Sequence, residues 1–556
     1  MNRDSGWVKG SWSTPGRPQS PSNVTRIARA IKNVDDSQHQ QIVYYQAGVG
    51  TSFSGWENLL GGGTGQGLAE NIREAYSFLA TNYMEHDRSG TVSPDSVFLI
   101  GFSRGAYTAR SIGGLIGAIG ILRKEAMPFF YEIFQDWQNA GNPRYKPQFM
   151  DSYLAYLPQS STLASPEPVG LDLLEEHLSR LKSLAPDRSQ IAEYMRVYRQ
   201  VLMRLGLTRE ATVSAIGVWD TVGALGVPVN PLIQALLPFL PAFISSYKWY
   251  DTTIGDHVKN AYHALALDER RYPYAPTLWE RPEGCKTNLK QVWFPGAHAN
   301  VGGGYPDQGI ANLTLIWMMD QLAGHSATEY AHDLDTIAFD DQYVDNYNDL
   351  QVRQYLRSDN TSRGWWNGII YDSLTFPQSL AGKLVRTPGR YCPTDFATGK
   401  PDNQRLLHDT NEYVHASVRA FQDLREVGIE PDWSQAFPYG WNIKPWFQLA
   451  WRKITGSSGK GYMPHRMALR GWQLQDGHTV HKTADHNPSA SPGARVEWVA
   501  HEANKTGDGA NVMYEDLLGR YELKFLNLIG ETGSTGLAGK LQTHLDVRLK
   551  KRALSL

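Results

Sequence analysis

The chain contains little cysteine and no long apolar run. Its two cysteines, Cys285 and Cys392, allow at most one disulfide in 556 residues, which is typical of proteins from a reducing compartment. No segment of about 18 consecutive apolar residues occurs, so we expect no membrane-spanning helix. The N-terminal residues also lack the apolar core of a secretory signal. Together these absences predict a cytoplasmic protein.

The chain has no excess of charge of either sign. Its 54 basic and 56 acidic residues give a formal net charge of -2, which provides no electrostatic basis for binding nucleic acid. The glycine-rich stretch at 61–67 lacks the Lys-Ser/Thr ending of a phosphate-binding loop. Three histidines at 478–486 occur without the cysteines or paired carboxylates that zinc sites use. We therefore expect no cofactor, no metal and no nucleic-acid partner.

Segments with helical patterns alternate with segments typical of strands along the first 325 residues. Apolar residues at helical spacing predict helices, and β-branched or aromatic runs bounded by glycines predict strands. The sequence in this way predicts helices at 20–33, 67–84 and 104–122, and strands at 40–51 and 95–102. Further strands are expected at the apolar runs that end at Trp219 and Phe294. This alternation predicts an α/β fold with a mostly parallel sheet.

Two helical insertions are expected to interrupt the sheet, at about 122–208 and 226–275. The first contains LDLLEEHLSRLKSL and QIAEYMRVYRQVLMRL, two rather polar segments with helical periodicity. A helix that ends near Gly324 is expected to close the α/β domain, which gives this domain the boundaries 1–325. The Trp-rich region at 326–556 has weak periodicity, and we expect it to be an accessory region of unknown function.

The segment GFSRG places Ser103 between two glycines, where a strand gives way to a helix. A nucleophilic serine in an α/β-hydrolase occupies such a strained turn, which needs small neighbours like Gly101 and Gly105. The backbone N–H of Arg104, at the start of the helix, would then be one oxyanion donor. A Gly-Ser turn without any function is the alternative. The strand and helix on either side favour the nucleophile.

A serine nucleophile requires a base and a residue that orients the base. Asp220 directly follows an apolar strand, and His298 follows the next one in a glycine-rich loop. In α/β-hydrolases the acid and the histidine come after the serine in this order, at strand ends. Taken singly, Asp220 could also be a turn or helix-capping residue, and His298 an ordinary loop histidine. The order and placement of all three favour a catalytic triad.

Other residues fit these roles less well. Asp251 and Asp268 could orient a base, but neither ends an apolar strand. Four further histidines lie either inside the second insertion or far downstream: His257, His263, His408 and His415. None of them is expected to replace His298.

Seven motifs along the first part of the chain form a specific combination: SNVTRIARAI, YYQAGVGT, ENIREAY, GFSRGAYTAR, GVWDTVG, ALDERR and FPGAHANVGGGY. Together they resemble the catalytic domain of type VI secretion phospholipase effectors, especially its cytosolic-type relatives in fungal genomes. The resemblance covers roughly the first 320 residues and implies an α/β-hydrolase acting on carboxylic esters, with phospholipase A activity in the bacterial members. Carried onto this chain, it implies Ser103 as nucleophile, Asp220 as acid and His298 as base.

The N-terminus departs from this family pattern. Family members open with an apolar strand ending in Asp-Gly-Thr-Trp, whereas this chain has GWVKGSWSTPG there. Either residues 9–12 are a reduced form of that strand, or the chain starts downstream of it. We favour the second, because a sheet without a central strand leaves buried backbone groups unpaired. The strand precedes the loop with the second oxyanion donor, and losing one donor typically costs on the order of 100- to 1,000-fold in rate.

A strongly apolar stretch, VNPLIQALLPFLPAFISSYKWY at 229–250, follows Asp220. It is too short and too often interrupted by proline to span a bilayer. One interpretation is a lid or interfacial patch that admits an apolar ester and makes peripheral contact with a membrane. The other is a helical hairpin packed on the core.

The sequence thus predicts a serine hydrolase that cleaves an ester or lipid substrate through an acyl-enzyme, in the manner of a lipase or phospholipase. The alternative, favoured by the missing strand, is a catalytically inactive or truncated relative that binds lipid or protein. Peptidase or amidase chemistry on the same triad also stays open, since that triad is shared between reactions. The sequence makes no prediction of the oligomeric state.

Overall fold

A computed structural model gives the placement of the α/β region and of several segments that follow it. It describes residues 20–47, 65–85, 94–142, 145–149, 152–153, 171–184, 191–222, 253–305, 307–325, 335–346, 368, 370–371, 373, 382–393, 404–419, 468–476, 496–502, 505, 510–522 and 524. Residues 9–12, the apolar stretch at 229–250 and the histidines at 478–486 lie outside the described residues.

Eight α-helices occur in the described residues. They are α1 (Asn23–Ala30), α2 (Gly65–Asn82), α3 (Arg104–Ile119), α4 (Phe130–Gln138), α5 (Leu171–Leu184), α6 (Ile191–Arg204), α7 (His298–Gly302) and α8 (Gly309–Leu322). Short 3₁₀ helices span Lys124–Phe129 and Tyr272–Tyr274. The predicted helices at 20–33, 67–84 and 104–122 correspond to α1, α2 and α3. The last of these ends at Gly120, whose φ of 76° favours glycine and stops the helix.

Ten strands in the described residues form two sheets. They are β1 (Val97–Phe102), β2 (Ile121–Leu122), β3 (Thr208–Arg209), β4 (Val213–Trp219), β5 (Val258–Ala266), β6 (Asn288–Phe294), β7 (Glu412–Val414), β8 (Trp472–Asp476), β9 (Val496–Ala500) and β10 (Val512–Glu515). The main sheet has the order β1-β4-β5-β6-β7-β10-β9-β8. Pairing is parallel from β1 to β10, and β9 and β8 are added antiparallel. The predicted α/β fold with a mostly parallel sheet is confirmed.

Parallel pairing brings the ends of several strands to one edge of the sheet. Phe102 at the end of β1 pairs with Trp219 at the end of β4. β4 continues in parallel with β5, and β5 with β6. In open α/β sheets this carboxyl edge is where ligands bind. The residues that follow β1, β4 and β6 therefore meet there, and they include Ser103, Asp220 and His298.

Helices cover both faces of the sheet. On one face, α2, α3 and α6 pack through a buried cluster that includes Ile72, Ile116 and Val201. On the other face, α8 packs through Trp317, whose ring meets that of Phe294 edge-on at 5.4 Å. Every residue of α8 is buried, its polar side chains included. None of the helices in the described segments is long and apolar enough to cross a membrane.

The two predicted insertions differ in structure. The first, at about 122–208, contains α4, α5 and α6, and its ends are joined by the antiparallel pairing of β2 with β3. The second, at about 226–275, is corrected in its later part, because β5 lies within it as a buried central strand. Two buried polar residues interrupt the apolar pattern of β5. Asn260 donates to the Ser214 carbonyl at 2.9 Å, and His263 accepts a backbone hydrogen bond at 3.0 Å.

The sheet continues past the predicted boundary at residue 325. Strands β7 to β10 extend the same sheet, and β7 pairs directly with β6. In its described part, the region 326–556 is therefore a continuation of the α/β sheet and not a separate accessory unit. These strands are only three to five residues long, which is too short for a periodic pattern to emerge from the sequence.

The predicted strand at 40–51 is not a strand where the structure describes it. Residues 41–47 are irregular. Their apolar side chains are between 43% and 71% exposed: Ile42, Val43, Tyr44 and Tyr45. No strand among the described residues lies beside them. A β-branched and aromatic run without a partner strand has no ladder to join, so its strand propensity is not realised.

Candidate active site

Ser103 occupies the turn between β1 and α3. Its φ of 59° and ψ of -121° are sparsely populated for a residue with a Cβ, and the nucleophile turn of α/β-hydrolases is strained in this way. Its N–H donates to the Trp219 carbonyl at 3.1 Å, and its carbonyl accepts from the N–H of Tyr107 at 3.2 Å. The residue is partly exposed, so its hydroxyl is within reach of a substrate.

Only one of the two flanking glycines is required by space. A Cβ on Gly101 would lie 2.3 Å from the carbonyl oxygen of Gly105, far inside van der Waals contact. A Cβ on Gly105 would meet no described atom within 4 Å. The prediction that the turn needs small residues on both sides is therefore correct for Gly101 and wrong for Gly105. Gly101 allows α3 to begin close against the end of β1.

Asp220 follows β4 directly and is fully buried. Its N–H donates to the Ala264 carbonyl at 2.7 Å, and its Oδ1 accepts from the N–H of Ala266 at 3.0 Å. β5 therefore fixes both the backbone and one carboxylate oxygen of Asp220. Arg386, which lies beyond the predicted domain boundary, donates to both carboxylate oxygens at 3.1 Å.

His298 is the first residue of α7, in the loop that follows β6. Its Nδ1 lies 2.7 Å from Oδ2 of Asp220, and its Nε2 lies 2.8 Å from Oγ of Ser103. The structure thus brings the three sequence-predicted residues into one hydrogen-bonded series. The imidazole is buried and the hydroxyl is the most accessible member of the series.

Two carboxylates fix the loop that carries His298. The N–H of Gly296 donates to Oδ2 of Asp268 at 2.7 Å, and the N–H of Asp268 donates back to the Gly296 carbonyl at 2.9 Å. The N–H of His298 itself donates to Oε2 of Glu269 at 3.1 Å. Gly296 has a φ of 100°, which favours glycine at this bend. Asp268 therefore orients the loop and not the imidazole.

The hydrogen-bond series determines which imidazole nitrogen carries the proton. Burial raises the pKa of Asp220, but Arg386 and His298 lower this pKa by more, so it lies below its ordinary value. The ionised carboxylate can only accept, so Nδ1 of His298 is the donor and Nε2 is left to accept from Ser103. A hydroxyl held in this way can pass its proton to the imidazole as it attacks a carbonyl.

Glu269 and Arg271 form a buried ion pair beside His298. Nε and Nη2 of Arg271 donate to the two carboxylate oxygens of Glu269 at 2.9 Å, and the Ser373 hydroxyl donates to Oε1 at 2.7 Å. Burial raises the pKa of Glu269, but Arg271 lowers this pKa by more, to about 2. The carboxylate is therefore ionised at neutral pH and can accept the hydrogen bond from the backbone N–H of His298.

Aromatic rings lie against the imidazole of His298. The ring centroid of Phe102 is 4.6 Å away, and that of Tyr274 is 4.9 Å away with the two ring planes nearly perpendicular. The guanidinium of Arg271 lies over the Tyr274 ring at 3.5 Å. A site bordered by aromatic surface suits an apolar group better than a charged one.

Arg104 opens α3, directly after Ser103. The N–H groups in the first turn of a helix point away from the helix body, towards any group that lies at its N-terminus. This is the position at which the sequence predicts one oxyanion donor. Residues 9–12, on which the prediction about a second donor depends, lie outside the described residues.

Three charged residues at this site are not predicted from the sequence: Glu269, its partner Arg271, and Arg386. Glu269 belongs to ALDERR, and the run of four charged residues after an apolar strand is a signal that could identify it. Arg386 stands in KLVRTPGR, where no pattern connects it with Asp220, 166 residues earlier. An isolated arginine can be assigned to a buried carboxylate only from three-dimensional contacts.

The alternative histidines bond to other groups. They are His257 with the Gly113 carbonyl (2.9 Å), His263 with the N–H of Thr221 (3.0 Å) and His415 with Glu522 (2.9 Å). His408 is exposed, and Asp251 lies outside the described residues. Within the described segments, no group of three or more His, Cys, Asp or Glu side chains could hold a metal ion.

Comparison with known proteins identifies the family. The family model described as "T6SS, Phospholipase effector Tle1-like, catalytic domain" matches residues 7–321. The uncharacterized protein YEL023C of Saccharomyces cerevisiae is 25% identical over 379 residues, which covers 54% of each chain, so this chain spans about half the length of that relative. No solved structure gives a significant match. Because the family model matches more than half of the chain, the protein belongs to the Tle1-like phospholipase effector family through its catalytic domain.

Proposed function

We propose that the protein is a serine ester hydrolase of the lipase or phospholipase type. The observation that carries this proposal is the series in which His298 contacts Ser103 at 2.8 Å and Asp220 at 2.7 Å. The strained turn at Ser103 adds support, because such strain is found where a nucleophile is presented. Membership of a phospholipase effector family supports a lipid ester as the substrate.

In the proposed reaction, the Ser103 hydroxyl attacks the acyl carbonyl while Nε2 of His298 takes its proton. The N–H of Arg104 donates to the oxyanion that forms. When the tetrahedral intermediate collapses, the imidazolium returns the proton to the leaving alcohol and the acyl group stays on Ser103. Water then attacks the acyl-enzyme with the same nitrogen as base, which releases the carboxylic acid. Asp220 stays ionised throughout and stabilises the imidazolium.

The proposed substrate is a carboxylic ester with an apolar acyl chain. The rings of Phe102 and Tyr274 beside His298 favour an uncharged group at the reacting centre. Peripheral contact with a membrane through residues 229–250 is part of the same proposal, because this stretch is strongly apolar and follows Asp220 in the chain. It lies outside the described residues.

A second series of serine, histidine and carboxylate offers an internal comparison. Oγ of Ser417 lies 2.8 Å from Nδ1 of His415, whose Nε2 lies 2.9 Å from Glu522. Ser417 is buried, its φ is not positive, and its own N–H also donates to Nδ1 at 3.1 Å. A substrate cannot reach this hydroxyl, so we assign the second series to structure. Ser417→Ala is therefore a matched control for Ser103→Ala.

The proposal is tested by hydrolysis assays on the wild type and on these two variants, each first shown to be folded. The substrates are p-nitrophenyl butyrate, p-nitrophenyl palmitate, phosphatidylcholine vesicles and a peptide p-nitroanilide. The wild type and Ser417→Ala are expected to cleave the esters, and Ser103→Ala to lose on the order of 10⁴-fold or more in rate.

Each contrary outcome has a distinct meaning. A Ser103→Ala variant with the wild-type rate rules out Ser103 as the nucleophile. Faster cleavage of the anilide than of any ester assigns the site to amide chemistry. A folded wild type that cleaves none of these substrates supports the inactive, lipid- or protein-binding relative.

A further inference from the structure

Arg386 reaches the candidate active site from beyond the matched catalytic domain. The family match ends at residue 321, and Arg386 lies 65 residues further along the chain. Its segment is tied by backbone bonds to the loop after β5. The N–H of Leu384 donates to the Arg270 carbonyl at 2.8 Å, and the N–H of Tyr272 donates to the Gly382 carbonyl at 3.1 Å. The backbone therefore holds Arg386 in place independently of its side chain.

The guanidinium of Arg386 is buried and binds the carboxylate of Asp220 with both terminal nitrogens. Nη1 donates to Oδ1 and Nη2 to Oδ2, each at 3.1 Å, and Nη2 also donates to the Tyr274 carbonyl at 2.7 Å. Two parallel bonds of this kind fix the plane of a carboxylate. The N–H of Ala266 on Oδ1 and Nδ1 of His298 on Oδ2 complete the set. Rotation of the carboxylate would break several of these bonds at once.

Arg386 also changes the charge that His298 faces. A lone carboxylate favours a protonated imidazole, whereas a carboxylate paired with a guanidinium favours it less. Other charged or titratable groups around His298 and Arg386 are Glu269 with its partner Arg271, Tyr274, Tyr391 and the buried His263 on β5, whose pKa the charge of Arg386 helps to lower. Glu269 is itself neutralised by Arg271, so Arg386 is the cation that acts most directly on the pair of Asp220 and His298.

We propose that Arg386 is a positioning residue for the reaction, which fixes and neutralises Asp220 and thereby sets the orientation of His298 and the charge that His298 faces. The proposal rests on the proposed function for the role of His298. It gives the chain beyond residue 321 a part in the active site. A domain that ended at the matched boundary would lack this arginine and would leave the Asp220 carboxylate buried without a cation.

The test compares three variants of the full chain with the wild type. Arg386→Met removes both the charge and the two-pronged contact, whereas Arg386→Lys keeps a charge but cannot bind both oxygens in the same way. Arg419→Met is the matched control, because Arg419 forms another buried two-pronged pair, with Glu515 at 2.8 and 2.9 Å. Each protein is titrated with a fluorophosphonate, so that rates refer to competent sites only.

Two kinds of measurement are made on each protein, one kinetic and one spectroscopic. One is the pH profile of kcat/KM on p-nitrophenyl butyrate, together with kcat. The other is the pH midpoint of the His298 ring signal in protein with isotope-labelled histidine, identified by its loss in His298→Gln. The second measurement does not require turnover.

Arg386→Met is expected to lower kcat per titrated site by on the order of 10- to 100-fold. The acid limb of its pH profile and its His298 ring signal are expected to move to higher pH, because the unpaired carboxylate now favours the imidazolium. Arg386→Lys is expected to keep the wild-type acid limb and to have a lower kcat. Arg419→Met is expected to be less stable than the wild type, with its kcat, its pH profile and its His298 midpoint unchanged.

The proposal is overturned if Arg386→Met has the wild-type kcat and an unshifted His298 midpoint. It is also overturned if the His298 midpoint shifts equally in Arg419→Met. If Arg386→Met does not fold, Arg386→Lys decides the question, since a wild-type kcat in that variant excludes positioning by the guanidinium. A folded wild type without esterase activity contradicts the proposed function instead. In that case the His298 midpoint still tests Arg386.

Discussion

Oγ of Ser103 lies 2.8 Å from Nε2 of His298, although 195 positions separate the two residues in the chain. The contact depends on β1 and β6 running parallel, with β4 and β5 between them. Each residue follows the carboxyl end of its strand, so the sheet brings them to the same edge. Asp220, at the end of β4, reaches the far side of the imidazole in the same way.

Replacing Asp220 by asparagine is expected to lower kcat for ester hydrolysis by on the order of 10⁴-fold. The amide can donate to Nδ1 of His298, which then favours the tautomer with its proton on Nε2, facing Ser103. Steady-state assays on p-nitrophenyl esters measure this loss. Asp136→Asn is the control, because Asp136 is also buried and accepts hydrogen bonds from Tyr145 and Tyr198. It is expected to lower stability and leave kcat unchanged, and an Asp220→Asn variant with wild-type kcat contradicts the tautomer argument.

The two glycines that flank Ser103 are expected to respond in opposite ways to substitution by alanine. In Gly101→Ala the new Cβ meets the Gly105 carbonyl, so the free energy of unfolding is expected to fall by about 1–3 kcal/mol or more. In Gly105→Ala the Cβ has open space in the first turn of α3, so stability is expected to rise by up to about 1 kcal/mol. Urea denaturation of both variants checks the pair, and equal effects contradict the geometry of the turn.

His263 is expected to make the fold less stable in mild acid. Burial lowers the pKa of His263 from 6.5 to about 3, so below pH 6.5 the unfolded chain takes up a proton that the folded chain does not. The free energy of unfolding therefore falls as the pH drops from 6.5 towards 3, by up to about 1.4 kcal/mol per pH unit from this group.

His263→Gln removes this titration and can still accept the N–H of Thr221, so its stability is expected to fall less steeply between pH 6.5 and 5. His408→Gln is the control, since His408 is exposed, and it is expected to keep the wild-type slope. Denaturant unfolding at several pH values measures the three slopes. Identical slopes in His263→Gln and the wild type contradict the assignment of a buried neutral imidazole.

The residues that the sequence identifies best are those that follow the end of an apolar strand, either directly or in the loop after it. Ser103, Asp220 and His298 each have this placement, and their order along the chain matches one known hydrolase arrangement. Because parallel strands align their carboxyl ends, strand-end position alone was enough to predict that they meet. Their catalytic role stays a proposal.

The features that the sequence does not reveal depend on contacts between distant segments. β5 carries buried polar residues whose partners, such as the Ser214 carbonyl, lie on a neighbouring strand, so its pattern does not look like that of a central strand. Strands β7 to β10 are too short for periodicity to show. Arg386 has no local pattern at all, because its significance comes from the buried carboxylate of Asp220.

Labelling of the full chain with a fluorophosphonate, followed by peptide mapping, tests the role of Ser103 most directly. A single label on the peptide that contains Ser103 is expected, lost in Ser103→Ala and retained in Ser417→Ala. This result requires an activated hydroxyl, and therefore a histidine that accepts its proton. A folded wild type that stays unlabelled, or one labelled elsewhere than at Ser103, contradicts the proposed hydrolase.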